Sequence, residues 1–212
     1  MSSPTATLSH RGAGGRRSVQ RRRRWAAVVV LTVAVLIGVI LAMPLARKAV
    51  NSLSLPLSYA HIIRQQGAAK HVDPALIAAV IYAETKFDPR PSSAGAEGLM
   101  QILPQTAEFL AHRSGATTFT TADLATPHVN IAYGTYYLRY LLDEYGGNVF
   151  IALAAYNGGE ANVNRWLSEA KADQHRFTVG DIPFPETQAY VRKVLSAQRD
   201  YRSTYASQLG YG

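Results

Sequence analysis

Residues Ala78 to Gln105 read AAVIYAETKFDPRPSSAGAEGLMQILPQ, and the fold turns on this stretch. An apolar run carries one carboxylate, Glu84, at its far end; a loop rich in Pro, Ser and Gly follows, and a second apolar segment opens at Gly98. Just upstream, Val72-Asp73-Pro74 is a helix start, with Asp73 as N-cap and Pro74 in the first helical position, where its missing N–H is not needed. The helix so opened, PALIAAVIYAET, is apolar almost all round, and such a helix is buried. Glu84 therefore closes a greasy helix, at the end where the macrodipole disfavours a negative charge. It is either a solvated helix terminus or a site. If half-buried, its carboxyl is lifted toward the range a general acid needs.

Outward from this stretch the pattern stays helical. YAHIIRQQGAAKH, from Tyr59, predicts a helix before it, and GLMQILPQTAEFLAHR predicts one opened at Gly98, with Pro104 starting a second piece. Residues 112–126, rich in Thr and Ser, read as a loop. VNIAYGTYYLRYLLDEYGG sets Ile131, Gly134, Leu138, Leu141, Leu142 and Tyr145 on one stripe and stops at Gly146-Gly147. Asn148 caps VFIALAAYN, which ends at Gly158-Gly159; a polar helix follows from Val163 to Ala170, and ETQAYVRKVLSAQRDYRSTY closes the domain as an amphipathic helix. No segment alternates with the period of a strand, so the expected class is all-α.

The 212 residues suit one domain with appendages, and the net charge of +8 is unevenly placed. Seven of the 22 basic residues are arginines within residues 1–24, which hold no acid, leaving 15 basic against 14 acidic residues elsewhere. A nearly neutral body argues against a basic nucleic-acid face. Residues 25–43, WAAVVVLTVAVLIGVILAM, carry no charge; at about 1.5 Å per residue they reach roughly 28 Å, enough for a bilayer core. They predict a single transmembrane helix. Arg21 to Arg24 before it outweigh Arg47 and Lys48 after it, which places the N-terminus in the cytoplasm and the body outside. A cleaved signal peptide competes, but its apolar core is usually only about 7–15 residues, and Pro44 suits no small-x-small site ending at Ala46. The expected organisation is a disordered basic tail (1–24), the span (25–43), a tether (44–58), a helical domain (59–205) and a C-terminal tail (206–212). Without a cysteine, the domain rests on its core alone. The six histidines are scattered, and neither a metal nor a cofactor is expected.

Three further pieces invite a functional reading beside a bland one. Gln101 is an amide on an otherwise apolar turn, where it must find partners. AYNGG, Ala155 to Gly159, is in part an ordinary helix terminus, which leaves Tyr156 unexplained. In PFPETQAYV, Glu186 suits a helix N-terminus by charge alone and Tyr190 suits a core. In order, ETKF, Ser92 to Ala107 (S-x-x-GAEGLMQ-x-x-P-x-TA), AYNGG and PFPETQAYV resemble the catalytic domain of the soluble lytic transglycosylases, relatives of goose-type lysozyme. The resemblance covers residues 60–205.

That resemblance implies a lysozyme-like helical fold and a cleft for peptidoglycan glycan strands. It makes Glu84 the sole catalytic acid. It places Gln101, Tyr156, Asn157, Glu186 and Tyr190 on the substrate, with Thr85, Ser92, Gly98 and Met100 lining the same cleft. Thr85 stands where the family usually has Ser, and Gly158 where AYNAG is usual. The implied reaction is non-hydrolytic cleavage of the β-1,4 bond between MurNAc and GlcNAc, leaving a 1,6-anhydromuramoyl end. Two alternatives stay open: a hydrolytic lysozyme that recruits Asp88, Glu97 or Glu186 as a second carboxylate, and a membrane-tethered module that binds wall glycan without cutting it. No protein partner is indicated.

Overall fold

Helix α2, Pro74–Thr85, lies at the centre of the domain, and its residues Ala75 to Ile81 are all buried. This computed structural model describes residues 32–33, 35–40, 42–43, 55–89 and 92–211. Around α2 stand α1 (Ala60–Lys70), α3 (Pro104–Ser114), α4 (Pro127–Glu144), α5 (Val149–Gly158), α6 (Glu160–Ala172), α7 (Pro185–Thr204) and the short α8 (Ala206–Leu209), with 3-10 turns at Thr121–Ala125 and Val179–Asp181. Among the described residues there is no β-strand, only an isolated bridge between Glu97 and Ile102.

The caps operate as the local chemistry requires. Asp73 accepts from Ala75 N at 3.1 Å, and Asn148 accepts from Ile151 N at 3.4 Å. Asp73 also gathers the end of the chain: its carboxylate accepts from Gln198 Nε2 at 2.6 Å, Arg202 Nη2 at 2.5 Å and the Tyr211 hydroxyl.

Four expectations need correction. Residues 98–103 are not helical; Gln101 sits at φ 48 and the bridge folds 97–102 into a tight turn, so the helix starts only at Pro104. The loop expected at 112–126 is interrupted, because α3 runs to Ser114 and Thr120 with Asp123 closes a capping box on a 3-10 turn. Residues 206–211 are no loose tail, since α8 buries Leu209 and Tyr211 reaches Asp73. The end of the expected tether also packs on the domain: Leu55 is buried, and Tyr205 and Tyr201 donate to the carbonyls of Leu55 and Pro56 at 2.7 and 2.6 Å.

The basic tail and most of the tether lie outside the described residues. Of the expected span, residues 32–33, 35–40 and 42–43 are described; they are helical, with exposed apolar side chains such as Leu36 and Ile40. Among the described residues no helix is long and apolar enough to cross a membrane. Residues 1–49 form one contact unit and residues 50–212 another.

The turn at 97–102 is held by Asn130 of α4, whose side chain is completely buried. Its amide donates to Glu97 O at 2.9 Å and Leu124 O at 3.1 Å and accepts from Met100 N at 2.8 Å. The approach is so close that a Cβ on Gly98, at φ +71, would stand 2.2 Å from Asn130 Nδ2, and one on Gly134 would stand 2.4 Å from Met100 Sδ. Truncating Asn130 orphans buried backbone groups, so Asn130→Ala should cost about 2–4 kcal/mol of stability. Urea unfolding monitored by circular dichroism checks this; a loss near zero would mean the amide is not the tie.

Candidate active site

Glu84 reaches its position because α2 is stopped immediately after it. Thr85 is the last helical residue, and Lys86 and Phe87 follow at φ 53 and φ 65. Side chains other than glycine rarely adopt this left-handed region, and Gln101 across the cavity does the same. Three such residues around one carboxyl form a concentration of backbone strain of the kind found at functional sites. The turn is held from behind by Phe87 against Tyr201, with ring centroids 6.2 Å apart.

The carboxyl opens into a cavity of about 460 Å³ lined by Ala83, Glu84, Thr85, Lys86, Asp88, Ser92 and Gln101. A second cavity of about 350 Å³ is lined by residues that include Gln101, Leu103, Thr106, Tyr137, Tyr156 and Asn157. Gln101 belongs to both. Its backbone turn and the bond from its Nε2 to Gly98 O at 2.8 Å hold the amide at the junction of the two cavities.

Burial raises the Glu84 carboxyl from the ordinary 4.5 to about 7, against smaller lowering effects from the Tyr190 hydroxyl and the Lys193 charge. Near neutral pH a substantial fraction of the carboxyl is therefore protonated, as a proton donor must be. Tyr156 and Tyr190 are shifted well above the usual phenol range, by burial first and then by the negative field of Glu84. Both stay neutral. The Tyr156 hydroxyl donates to Met100 O at 2.8 Å, which locks α5 to the turn. The Tyr190 hydroxyl is buried beside Glu84 and interacts with it, yet it completes no well-formed hydrogen bond with any protein group.

The expected site residues separate into two sets. Glu84, Gln101, Tyr156, Asn157 and Ser92 line the cavities, and Tyr190 stands against Glu84. Ser92 also accepts from Ala96 N at 2.9 Å and so shapes its own loop. Gly98 and Met100 work through the backbone: Met100 is fully buried, and Gly98 makes room for Asn130. Thr85 lines the first cavity, but its hydroxyl is turned inward, donating to Leu99 O at 2.9 Å and Ile81 O at 3.2 Å. Glu186 lines neither cavity; it is exposed in the first turn of α7, where its charge suits the helix N-terminus.

Three residues of the site carry little signal in the sequence. Asn130 was visible as the one amide entering an apolar stripe, and Tyr137 as an aromatic one turn beyond Gly134. Tyr137 packs on Tyr156 with centroids 5.2 Å apart. Lys193 gave no signal except its spacing from Tyr190.

A half-buried acid at the end of a buried helix, facing cavities lined by amides and phenols, places the domain in the lysozyme-like helical class. The Transglycosylase SLT domain model matches residues 61–177, and the chain belongs to that family. Soluble lytic murein transglycosylase of Escherichia coli K12 is 34% identical over 151 residues, covering 69% of this chain and 23% of that protein. Membrane-bound lytic murein transglycosylase C of Salmonella typhi is 33% identical over 166 residues, covering 68% and 46%. Among solved structures, an inactive mutant of lytic transglycosylase Slt from Pseudomonas aeruginosa aligns at TM-score 0.68 and 29% identity, covering 74% of this chain and 26% of that one. The 70 kDa soluble lytic transglycosylase in complex with bulgecin A aligns at TM-score 0.67 and 31% identity, covering 71% and 25%. The chain spans about a quarter of the soluble relatives and under half of the membrane-bound one.

The raised carboxyl is also a statement about stability. The folded state keeps a proton on Glu84 that the unfolded chain releases, so folding weakens as pH rises from about 4.5 through about 7. Glu84→Gln removes that dependence and should be more stable than the wild type by about 3 kcal/mol above about pH 8, with little difference below about pH 4. Thermal melts of both proteins across this range check it; a difference in Tm that ignores pH would show that the carboxyl is not held neutral.

Proposed function

We propose that this domain is a peptidoglycan lytic transglycosylase in which Glu84 acts first as acid and then as base. The observation that carries the reading is the Glu84 carboxyl, raised by burial to about 7, in a cavity that shares Gln101 with a second one. Neutral Glu84 gives its proton to the glycosidic oxygen as the C1–O bond between MurNAc and GlcNAc breaks. The carboxylate left behind takes the proton of the muramoyl C6 hydroxyl as that oxygen closes on C1. No water is consumed, and the proton inventory of Glu84 is restored. Gln101, Asn157 and Tyr156 position the sugars, and Tyr190 orients the acid through its hydroxyl. The relatives named for murein transglycosylase activity support this reading.

One observation favours a second reading. Of the acids weighed as partners for Glu84, Asp88 lines the same cavity, whereas Glu97 and Glu186 do not. A hydrolytic enzyme would use Asp88 to activate or mimic the missing nucleophile.

We also infer a membrane anchor at residues 25–43, supported by their lack of charge, the arginines before them and the exposed apolar helix over their described part. The catalytic domain is then extracytoplasmic, where its substrate is.

On purified sacculi the wild type should release fragments lighter by one water than hydrolysis products, and Glu84→Gln should lower the rate by about 1000-fold or more while glycan binding persists. Mass spectrometry and a sedimentation assay read both; reducing ends alone would favour the Asp88 hydrolase, and binding without any cleavage would favour the wall-binding module. Activity should decline as pH rises past about 7, because the acid is then lost. For topology, a periplasm-dependent reporter fused after Gly212 should be active, and activity only of a cytoplasm-dependent one would overturn the anchor's orientation.

A further inference from the structure

We infer that Lys193 is a positioning residue for Glu84, pinning the end of the catalytic helix and setting a cation beside the carboxylate that forms during turnover. The inference rests on the acid role proposed above for Glu84. Its geometry is independent of that role. Lys193 Nζ donates to Ala83 O at 2.8 Å, the carbonyl immediately before Glu84 in the chain, and lies 5.4 Å from the centroid of the Tyr82 ring. It thus satisfies one of the terminal carbonyls that α2 leaves open and holds its charge at the dipole end that favours cations. Tyr190 and Lys193 are three residues apart on α7, and neighbours at that spacing share a face. One helix thus carries both the hydroxyl that interacts with Glu84 and the ammonium whose charge acts on it.

The surroundings make this charge count. Facing Glu84 are Tyr190 and Lys193 from α7 and Tyr156 from α5, with Tyr137 of α4 behind Tyr156. Lys86 and Asp88 share the cavity with it. The tyrosines are neutral across the working range, so they add no competing charge. Lys86 opposes Lys193, and burial together with that repulsion lowers the Lys193 ammonium, while Glu84 pulls the other way. Burial alone would make Glu84 a weak acid; the cation makes it a stronger one and stabilises the carboxylate after proton transfer.

The test replaces Lys193 by Met, which keeps the stem and removes the charge, by Gln, which keeps a donor for Ala83 O, and by Arg, which keeps the charge. Glutamate carboxyl-carbon NMR follows the titration of Glu84 without any need for turnover. In Lys193→Met and Lys193→Gln its midpoint should rise by roughly 0.5–1 unit, and Lys193→Arg should return most of it. On sacculi the alkaline limb of kcat/KM should move the same way, with kcat several-fold lower in the two neutral variants. A midpoint unmoved in folded Lys193→Gln would overturn the inference and leave Lys193 a helix cap; this variant carries the result if Lys193→Met does not fold. A wild type inactive on sacculi whose Glu84 midpoint still depends on Lys193 would instead overturn only the proposed activity.

Discussion

The turn at residues 97–102 is where the elements of the site meet, and the buried amide of Asn130 keeps it there. Its three hydrogen bonds convert a Gly-rich loop into a fixed surface. Thr85 then ties the end of α2 to Leu99 O, and Tyr156 ties α5 to Met100 O. Buried backbone groups must be paired, and here the pairing partners are side chains from separate helices. Satisfying the turn and assembling the site are thus one act. Gly98 and Gly134 permit it, since a Cβ at either position would collide with the Asn130 amide or the Met100 side chain.

On this frame the electrostatics of Glu84 follow from two opposed effects. α2 is so apolar that its end offers a carboxylate little solvation, and burial dominates the shift of its carboxyl. α7 moderates it with Tyr190 and Lys193. An acid poised near neutrality can both give and recover a proton, which a carboxyl at its ordinary value does poorly at that pH. Such a balance needs an apolar helix and a polar helix in contact. Aromatic packing of Tyr201 against Tyr82 and Phe87 helps to hold the two together.

The periodicity and the caps made much of the helical order legible. Asp73-Pro74, Asn148 and Gly146-Gly147 mark helix ends through local backbone chemistry, which needs no partner from elsewhere in the chain. Local pattern misleads at 98–103. GLMQIL has helix-favouring residues, but Asn130, thirty residues on, offers Met100 N a better partner than a helix would, and Gln101 is forced to positive φ. The same long-range competition hid the roles of Thr85 and Met100, whose polar atoms serve the frame, and left Glu186 outside the cavities.

By itself the sequence determined the all-helical class, the burial of α2, the position of Glu84 at its end and an uncharged segment ahead of the domain, because each depends on neighbours along the chain. Only the tertiary structure decided that the Glu84 carboxyl is raised by burial to about 7, that Tyr190 and Lys193 act on it, and that Gln101 lines two cavities. Desolvation and hydrogen bonding between distant segments are properties of the packed state, and no local pattern encodes them. The stretch from Ala78 to Gln105 thus contains the Glu84 carboxyl, while its surroundings come from α4, α5 and α7.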